Sequence, residues 1–219
     1  MLPYVVWMTI FIVVPLFLVI YYAFTTRDAN GTALTLANFQ RAFQPIYLKV
    51  LARSLKLAVF STAVCLLLGY PVALIMAGKA FSRKSTIMLL FVIPMWMNFL
   101  LRTYAWLTLL ERNGALNQLL SRIGLPTLNI LYTDYAVILG MVYNFLPFMI
   151  LPIYSVLSKI DQGVIEAASD LGANKLVVFL RVVLPLSLPG VVSGIIMVFM
   201  PALTTFVISR LLGGGQYTL

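Results

Sequence analysis

Glu166-Ala-Ala-Ser-Asp-Leu-Gly172, followed by Ala173 to Arg181 and then Val182-Val-Leu-Pro185, is the most polar interval in a long hydrophobic region. Apolar runs flank it on both sides, so it reads as a loop at one membrane face. Asp161 stands where a side-chain oxygen can accept bonds from the open N–H groups of a helix start. Glu166, Ala167, Ala168 and Leu171 are good helix formers. Gly172 follows about two turns later, where a helix end calls for the left-handed conformation. Ala167 and Ala168 are small enough to let a partner surface come close. Pro185 and Pro189 lack the backbone donor of an uninterrupted helix, so the reading predicts a bend where the next span begins. By these local features alone, an ordinary capped loop between two membrane helices fits as well as a docking element.

Composition sets the class. Of 219 residues, 62% are hydrophobic and only 10% charged, whereas soluble domains run nearer half apolar and a quarter charged. This predicts an all-α integral membrane protein, one domain over 1–219 with the bilayer as its solvent. The net charge of +9 does not point to nucleic acid. Lys and Arg lie mainly between or at the ends of apolar spans, where they set topology and meet anionic headgroups. Cys65 is alone inside an apolar span and reads as a small apolar side chain. The chain has no His, the commonest metal ligand and general base.

Five spans are legible, at about 3–24, 54–77, 86–110, 135–157 and 185–212. The first opens with no basic residue before it, as a shortened N-terminus would. Its apolar run is too long for a signal peptide, and no small-residue cleavage site follows. The connector from Thr25 to Arg53 holds a turn signal at Asn30-Gly31. Leu36, Phe39 and Phe43 recur there at helical intervals, as in a helix lying on the membrane surface. Gly69 and Pro71 interrupt the second span, near whose start Lys56 can snorkel outward. Gly78 to Ser85 is a short loop with Lys79, Arg83 and Lys84. The connector from Glu111 to Asp134 has turn signals at Asn113-Gly114 and Gly124-Leu-Pro126. Pro147 and Pro152 break the fourth span. The interval from Leu176 to Leu212 exceeds one straight crossing of about 20 residues, so part of it is expected along the interface, with Pro201 kinking the rest.

Three basic residues in the eight from Gly78 to Ser85 favour a cytoplasmic position for that loop. Arg27, Arg41, Lys49 and Arg53 in the first connector keep raw counts from deciding. With both even-numbered loops inside, the segment at about 161–175 is cytoplasmic, the N-terminus is inside and Gly213 to Leu219 outside.

No nucleotide site is written in the chain. A phosphate-cradling loop needs Gly-x-x-x-x-Gly-Lys-Ser/Thr, and neither Gly78-Lys79-Ala80 nor Gly213 to Gly215 supplies it. No paired carboxylates, nucleophile–base set or metal cluster lies within the spans, so neither catalysis nor a metal is expected here.

Ile93-Pro-Met-Trp-Met-Asn-Phe-Leu-Leu-Arg-Thr-Tyr-Ala-Trp106 is the second informative stretch. Helical spacing puts Asn98, Arg102 and Trp106 on one face of a continuous third span. Arg102 then either snorkels to the headgroups among belt aromatics or joins a polar stripe facing the bundle interior. Trp96, Tyr104, Trp106 and Tyr143 offer aromatic faces to a cation. Glu111 and Asp134 lie near the outer face, where they recruit such a cargo or simply sit in water. Asn144-Phe-Leu-Pro147 is either a hinge whose freed carbonyl faces a cavity or a feature of helix packing.

The spacing Glu-Ala-Ala, three residues, Gly, nine residues, aliphatic-x-Leu-Pro resembles, at every defining position, the EAA loop of ABC importer permeases. Pro94-x-Trp96, then Leu100-Leu-Arg-Thr-Tyr-Ala-Trp106 and Asn113-Gly114, is similar to the permeases of spermidine/putrescine importers. Permeases for iron, thiamine and phosphonates share the architecture and stay open as alternatives. The resemblance implies a polytopic bundle of the MetI-like permease type. Such permeases commonly have six spans here, so a sixth is expected to be missing from this sequence. Glu166, Ala167, Ala168, Gly172, Leu184 and Pro185 would form the ATPase-coupling element. Trp96, Asn98, Arg102, Tyr104, Trp106, Tyr143 and Asn144 would line the substrate pathway. It further implies two copies of a cytoplasmic ABC ATPase that uses ATP and Mg, a second homologous permease and an extracytoplasmic binding protein. This chain would bind no cofactor and sit in the bacterial inner membrane. A secondary transporter acting alone is the rival class, and it would carry inverted repeats or intramembrane ionisable residues.

Overall fold

The computed structural model describes residues 2–28, 31–78 and 84–214. They fall into two compact units, divided between Ala52 and Arg53. In the first unit, α1 (Leu2–Met8) and α2 (Val14–Phe24) are joined through a π turn at Thr9–Val13. A short antiparallel hairpin follows, β1 (Thr25–Asp28) with β2 (Gly31–Leu34), Thr25 opposite Leu34. The predicted turn at Asn30-Gly31 lies partly outside the described residues. The surface helix expected around Leu36–Phe43 is α3 (Ala37–Ala42). Asn38 Nδ2 ties it to the end of α2, donating to the carbonyls of Tyr22 at 3.1 Å and Thr25 at 3.1 Å.

The second unit takes in α4 (Pro45–Ala77) from Arg53 on, then α5 (Lys84–Trp96), α6 (Phe99–Leu110), α7 (Ala115–Arg122) and α8 (Asp134–Leu157). After these come α9 (Gln162–Asp170), α10 (Lys175–Val178), a π turn at Phe179–Val183, α11 (Leu184–Thr204) and α12 (Phe206–Leu212). Among the described residues four helices are long and apolar enough to cross a membrane. They become five when the pair Thr86–Trp96 and Phe99–Arg122, bent by 95°, counts as one span. Lys79 and Arg83 of the basic loop lie outside the described residues.

Helix α8 is the centre of the second unit. With no hydrophobic drive between helices in lipid, close approach depends on small residues. A Cβ on Gly194 would stand 2.8 Å from Met149 Sδ, and one on Gly190 2.9 Å from the Pro152 carbonyl, so α11 lies backbone to backbone on α8. Helix α4 turns Ala58, Ser61, Cys65, Gly69, Ala73 and Met76 inward at helical spacing. Ser61 Oγ reaches Met141 Sδ at 3.3 Å, and a Cβ on Gly69 would lie 3.1 Å from Met149 Cγ. In the N-terminal half of α8, a Cβ on Gly140 would collide with Leu212 Cδ1, which seats α12.

Proline acts differently from the sequence reading. Helix α4 runs unbroken through Pro71, and α8 through Pro147 and Pro152. The fifth span starts at Lys175 rather than Pro185 and runs as one 30-residue helix to Thr204. In place of a bend at Pro185 there is a π turn at Phe179–Val183, closed by the Leu184 N–H on the Phe179 carbonyl. The turn contains Arg181, the residue whose carbonyl the Pro185 ring would otherwise meet. The first span repeats the device, with a π turn at Thr9–Val13 ahead of Pro15. The true interruption lies further on, at Thr205, where the chain turns extended between α11 and α12.

Candidate functional site

The Glu-Ala-Ala segment folds as a self-contained knuckle. Asp161 Oδ1 accepts from the Gly163 N–H at 2.9 Å, so the expected cap is present. At the other end Gly172 adopts φ +80°. Its N–H bonds to the Ser169 carbonyl at 2.9 Å, and the Ala173 N–H bonds to the Ala168 carbonyl at 3.2 Å. That pair of bonds is the Schellman closure, which needs a left-handed residue at the turn. Asn174 then caps α10 by accepting from the Val177 N–H at 2.9 Å.

The faces of α9 divide cleanly. Ile165 and Ala168 are half-buried and pack inward, with Ala173 beside them. Val164, Ala167 and Leu171, at helical spacing, stay exposed, Leu171 at 89%. Glu166 is exposed beside them. Leu184 is half-buried and Pro185 exposed, in the first turn of α11. The knuckle therefore presents an apolar ridge beside the exposed Glu166 and Asp170, while α10 and the π turn join it covalently to the fifth span.

The residues expected along a substrate pathway are scattered more widely than the sequence suggested. The third span is not continuous, so Asn98, Arg102 and Trp106 are not three points on one helical face. Trp96 ends α5 and is 83% exposed. Asn98 sits at the break and caps α6, its Oδ1 accepting from the N–H groups of Leu100 at 2.8 Å and Leu101 at 3.4 Å. A polar residue that reads as part of a stripe is thus the device that restarts the helix after a 95° bend. Tyr104 is exposed. Trp106 and Tyr143 do meet, with ring centroids 5.3 Å apart at 68°, which joins α6 to α8. Asn144 is buried, and its Nδ2 donates to the Gly140 carbonyl at 2.8 Å. Arg102 is half-buried, its Nε enclosed without an acceptor.

The two carboxylates expected near the outer face part company. Asp134 is ion-paired with Arg53, Oδ1 to Nη2 at 2.6 Å. Glu111 is exposed at a hollow of about 420 Å³ lined also by Asn113, Asn129 and Tyr132.

Three polar anchors escaped the sequence reading. Tyr70 Oη and Ser187 Oγ, 2.9 Å apart, link α4 to α11. Thr103 is buried, bonding back to Phe99. Asn117, on the unforeseen helix α7, donates to the carbonyls of Glu111 and Leu128, both at 3.0 Å, and accepts from the Leu128 N–H at 2.7 Å. The one available signal was periodicity in Ala115–Arg122, which alternates apolar and polar faces at helical spacing.

Comparisons with known proteins agree with this architecture. Residues 69–219 match the model of the family described as binding-protein-dependent transport system inner membrane component. The spermidine/putrescine transport system permease protein PotB of Escherichia coli K12 is 38% identical over 215 residues, covering 96% of this chain and 78% of that protein. The Haemophilus influenzae protein of the same name is 39% identical over 218 residues, 97% and 76% of the two chains. Among solved structures, a bacterial ABC transporter involved in import of the acidic polysaccharide alginate superimposes with a TM-score of 0.75. Its identity is 19%, covering 92% of this chain and 71% of that one.

A bundle of apolar helices with an external knuckle between its fourth and fifth spans defines a multi-pass permease. The chain belongs to the binding-protein-dependent transport system inner membrane components, the permease subunits of ABC importers in the inner membrane.

Proposed function

We propose that this chain is the permease subunit of a polyamine importer, carrying spermidine or putrescine across the inner membrane at the expense of ATP hydrolysed by a partner. Identity at the 38–39% level over nearly the whole chain to two spermidine/putrescine permeases supports the cargo. The geometry of α9 carries the mechanism: its ridge of Val164, Ala167 and Leu171 lies open while Ile165 and Ala168 anchor it inward.

In this reading α9 is cytoplasmic and seats in a groove of an ABC ATPase, two copies of which serve this permease and a second, homologous one. ATP and Mg belong to those ATPases, and this chain neither binds a cofactor nor catalyses a reaction. An extracytoplasmic binding protein delivers the cargo. Closure of the ATPases pushes α9. The Schellman turn, α10 and the π turn pass that displacement to the fifth span, and α8 follows because α11 lies against its backbone. Glu166, Ala167, Ala168, Gly172, Leu184 and Pro185 form the transmitting segment. Trp96, Asn98, Arg102, Tyr104, Trp106, Tyr143 and Asn144 border the route, with Asn98 acting through the bend it caps.

Uptake of labelled spermidine by cells expressing the whole transporter tests the cargo, with putrescine, ferric, thiamine and phosphonate compounds as competitors. Competition by polyamines alone is expected. Competition by any other class would reassign the cargo. Glu166→Lys tests the coupling: it is expected to abolish uptake at normal membrane levels while the ATPase still hydrolyses ATP. Normal uptake by that variant would end the coupling role.

A further inference from the structure

None of the six carboxylates of the chain lies in the apolar middle of a span: Asp134 opens α8 and Glu111 follows the end of α6. A cationic cargo crossing mid-bilayer must therefore be met by something else, and α8 holds such a set. Asn144 lies ten residues past the start of the helix at Asp134, about 15 Å along its axis. In a hydrocarbon core about 30 Å thick this is the midplane. The side chain is only 2% exposed. Its Nδ2 is satisfied by Gly140, but its Oδ1 is buried without a partner. A buried acceptor left unpaired is costly, most of all where no water competes.

The next acceptor is adjacent. Pro147 has no N–H, so the Tyr143 carbonyl lacks the donor that an α-helix would give it. The Tyr143 ring, 38% exposed, stands edge-to-face with Trp106. One stretch of α8 thus gathers an unpartnered amide oxygen, a backbone carbonyl without its helical donor, and two π faces. Each of these favours N–H donors and positive charge, and none is a carboxylate.

We infer that Asn144 Oδ1, the Tyr143 carbonyl and the Trp106–Tyr143 pair form a mid-bilayer station for an ammonium group of the cargo. The inference rests on the polyamine reading above. The aromatic faces meet the cation on the open side of α8, and the amide oxygen accepts its N–H once the helices part. The absence of a carboxylate keeps the hold weak, and the Arg102 guanidinium one turn before Trp106 on α6 opposes a long stay. Passage requires release as much as capture.

The test uses the whole transporter in proteoliposomes with its binding protein, measuring labelled spermidine moved per ATP hydrolysed. Asn144→Leu removes donor and acceptor together and suits an apolar helix. It is expected to move about tenfold fewer spermidine molecules per ATP, the worth of a charge-assisted hydrogen bond, with binding-protein-stimulated hydrolysis retained. Asn144→Gln keeps a neutral amide oxygen and its N–H donor, and is expected to keep transport within about twofold. A ratio in Asn144→Leu equal to wild type overturns the station. So does loss of transport in both variants alike, because the acceptor would then not be what matters. Wild-type transporter that moves no polyamine overturns the cargo reading, and with it the ligand assigned to this station.

Discussion

Tyr70 Oη lies 2.9 Å from Ser187 Oγ, and Ser187 Oγ lies 2.8 Å from the Leu184 carbonyl, to which it donates. The Tyr70 ring also stands edge-on to Phe179 at 5.9 Å. One residue of the second span thus grips both sides of the π turn that carries the fifth span out of the Glu-Ala-Ala knuckle. Pro185 leaves a backbone acceptor in that turn without its usual donor, and the Ser187 hydroxyl strengthens the same stretch.

Tyr70→Phe removes the hydroxyl but keeps the ring. Intramembrane hydrogen bonds of this kind average about 0.6 kcal/mol and reach about 1.7, so the variant should insert normally and melt slightly lower. Thermal unfolding of the purified complex checks this. The transported-to-hydrolysed ratio should fall more than stability does, because the contact spans the turn through which α9 acts. Tyr70→Leu, which also discards the Phe179 contact, should be worse on both counts.

Gly172 offers open space around a would-be side chain but holds φ +80°. Strain, not collision, therefore sets the cost of substitution. A β-branched residue in the left-handed region costs about 1–2 kcal/mol, enough to fray the end of α9. Gly172→Val should depress uptake at normal protein level, and Gly172→Asn should be markedly milder because asparagine tolerates that region. Equal effects of the two substitutions in an uptake assay would remove backbone conformation as the cause.

Two of the glycines packed against α8 should respond unequally. A Cβ on Gly190 meets the Pro152 carbonyl at 2.9 Å, which is backbone and cannot yield. A Cβ on Gly69 meets Met149 Cγ at 3.1 Å, part of a flexible side chain. Gly190→Ala should cost about 1–3 kcal/mol as overpacking does, seen as loss of monodisperse complex on size exclusion. Gly69→Ala should be nearly silent. The reverse order would contradict the packing of α11 on α8.

Asp134 and Arg53 form an exposed pair, with side chains 33% and 42% accessible. Such pairs contribute between about 0 and 1 kcal/mol and weaken with salt. Asp134→Asn should lower the melting temperature slightly at low salt and not at high salt. It should leave polyamine uptake intact, since the carboxylate is engaged by a guanidinium rather than offered to cargo. A clear loss of uptake at normal stability would make Asp134 a recruiting group after all.

Much of the architecture was legible because the bilayer imposes it. Long apolar runs leave the chain no way to satisfy its backbone except as helices, and Asp161 and Gly172 mark the ends of α9 by chemistry local to the chain. The errors lay with proline and asparagine. Pro71, Pro147 and Pro152 read as breaks because their effect was judged in isolation, whereas α4 and α8 continue through them. Asn98 read as one point on a stripe because the bend beside it has no local signature strong enough to override a continuous apolar run.

From order of residues alone came the membrane class, the number and approximate place of the spans, and the capped knuckle beginning near Glu166. Each follows from transfer energies and backbone preferences that act over a few residues. Only the folded chain decided that Trp106 meets Tyr143, that Tyr70 grips the turn before Leu184, and that Asn144 is left with a buried oxygen and no donor. Those relations join residues 37 to 117 positions apart or depend on what encloses a side chain. Helix packing through small residues, which has no sequence period of its own, is what sets them.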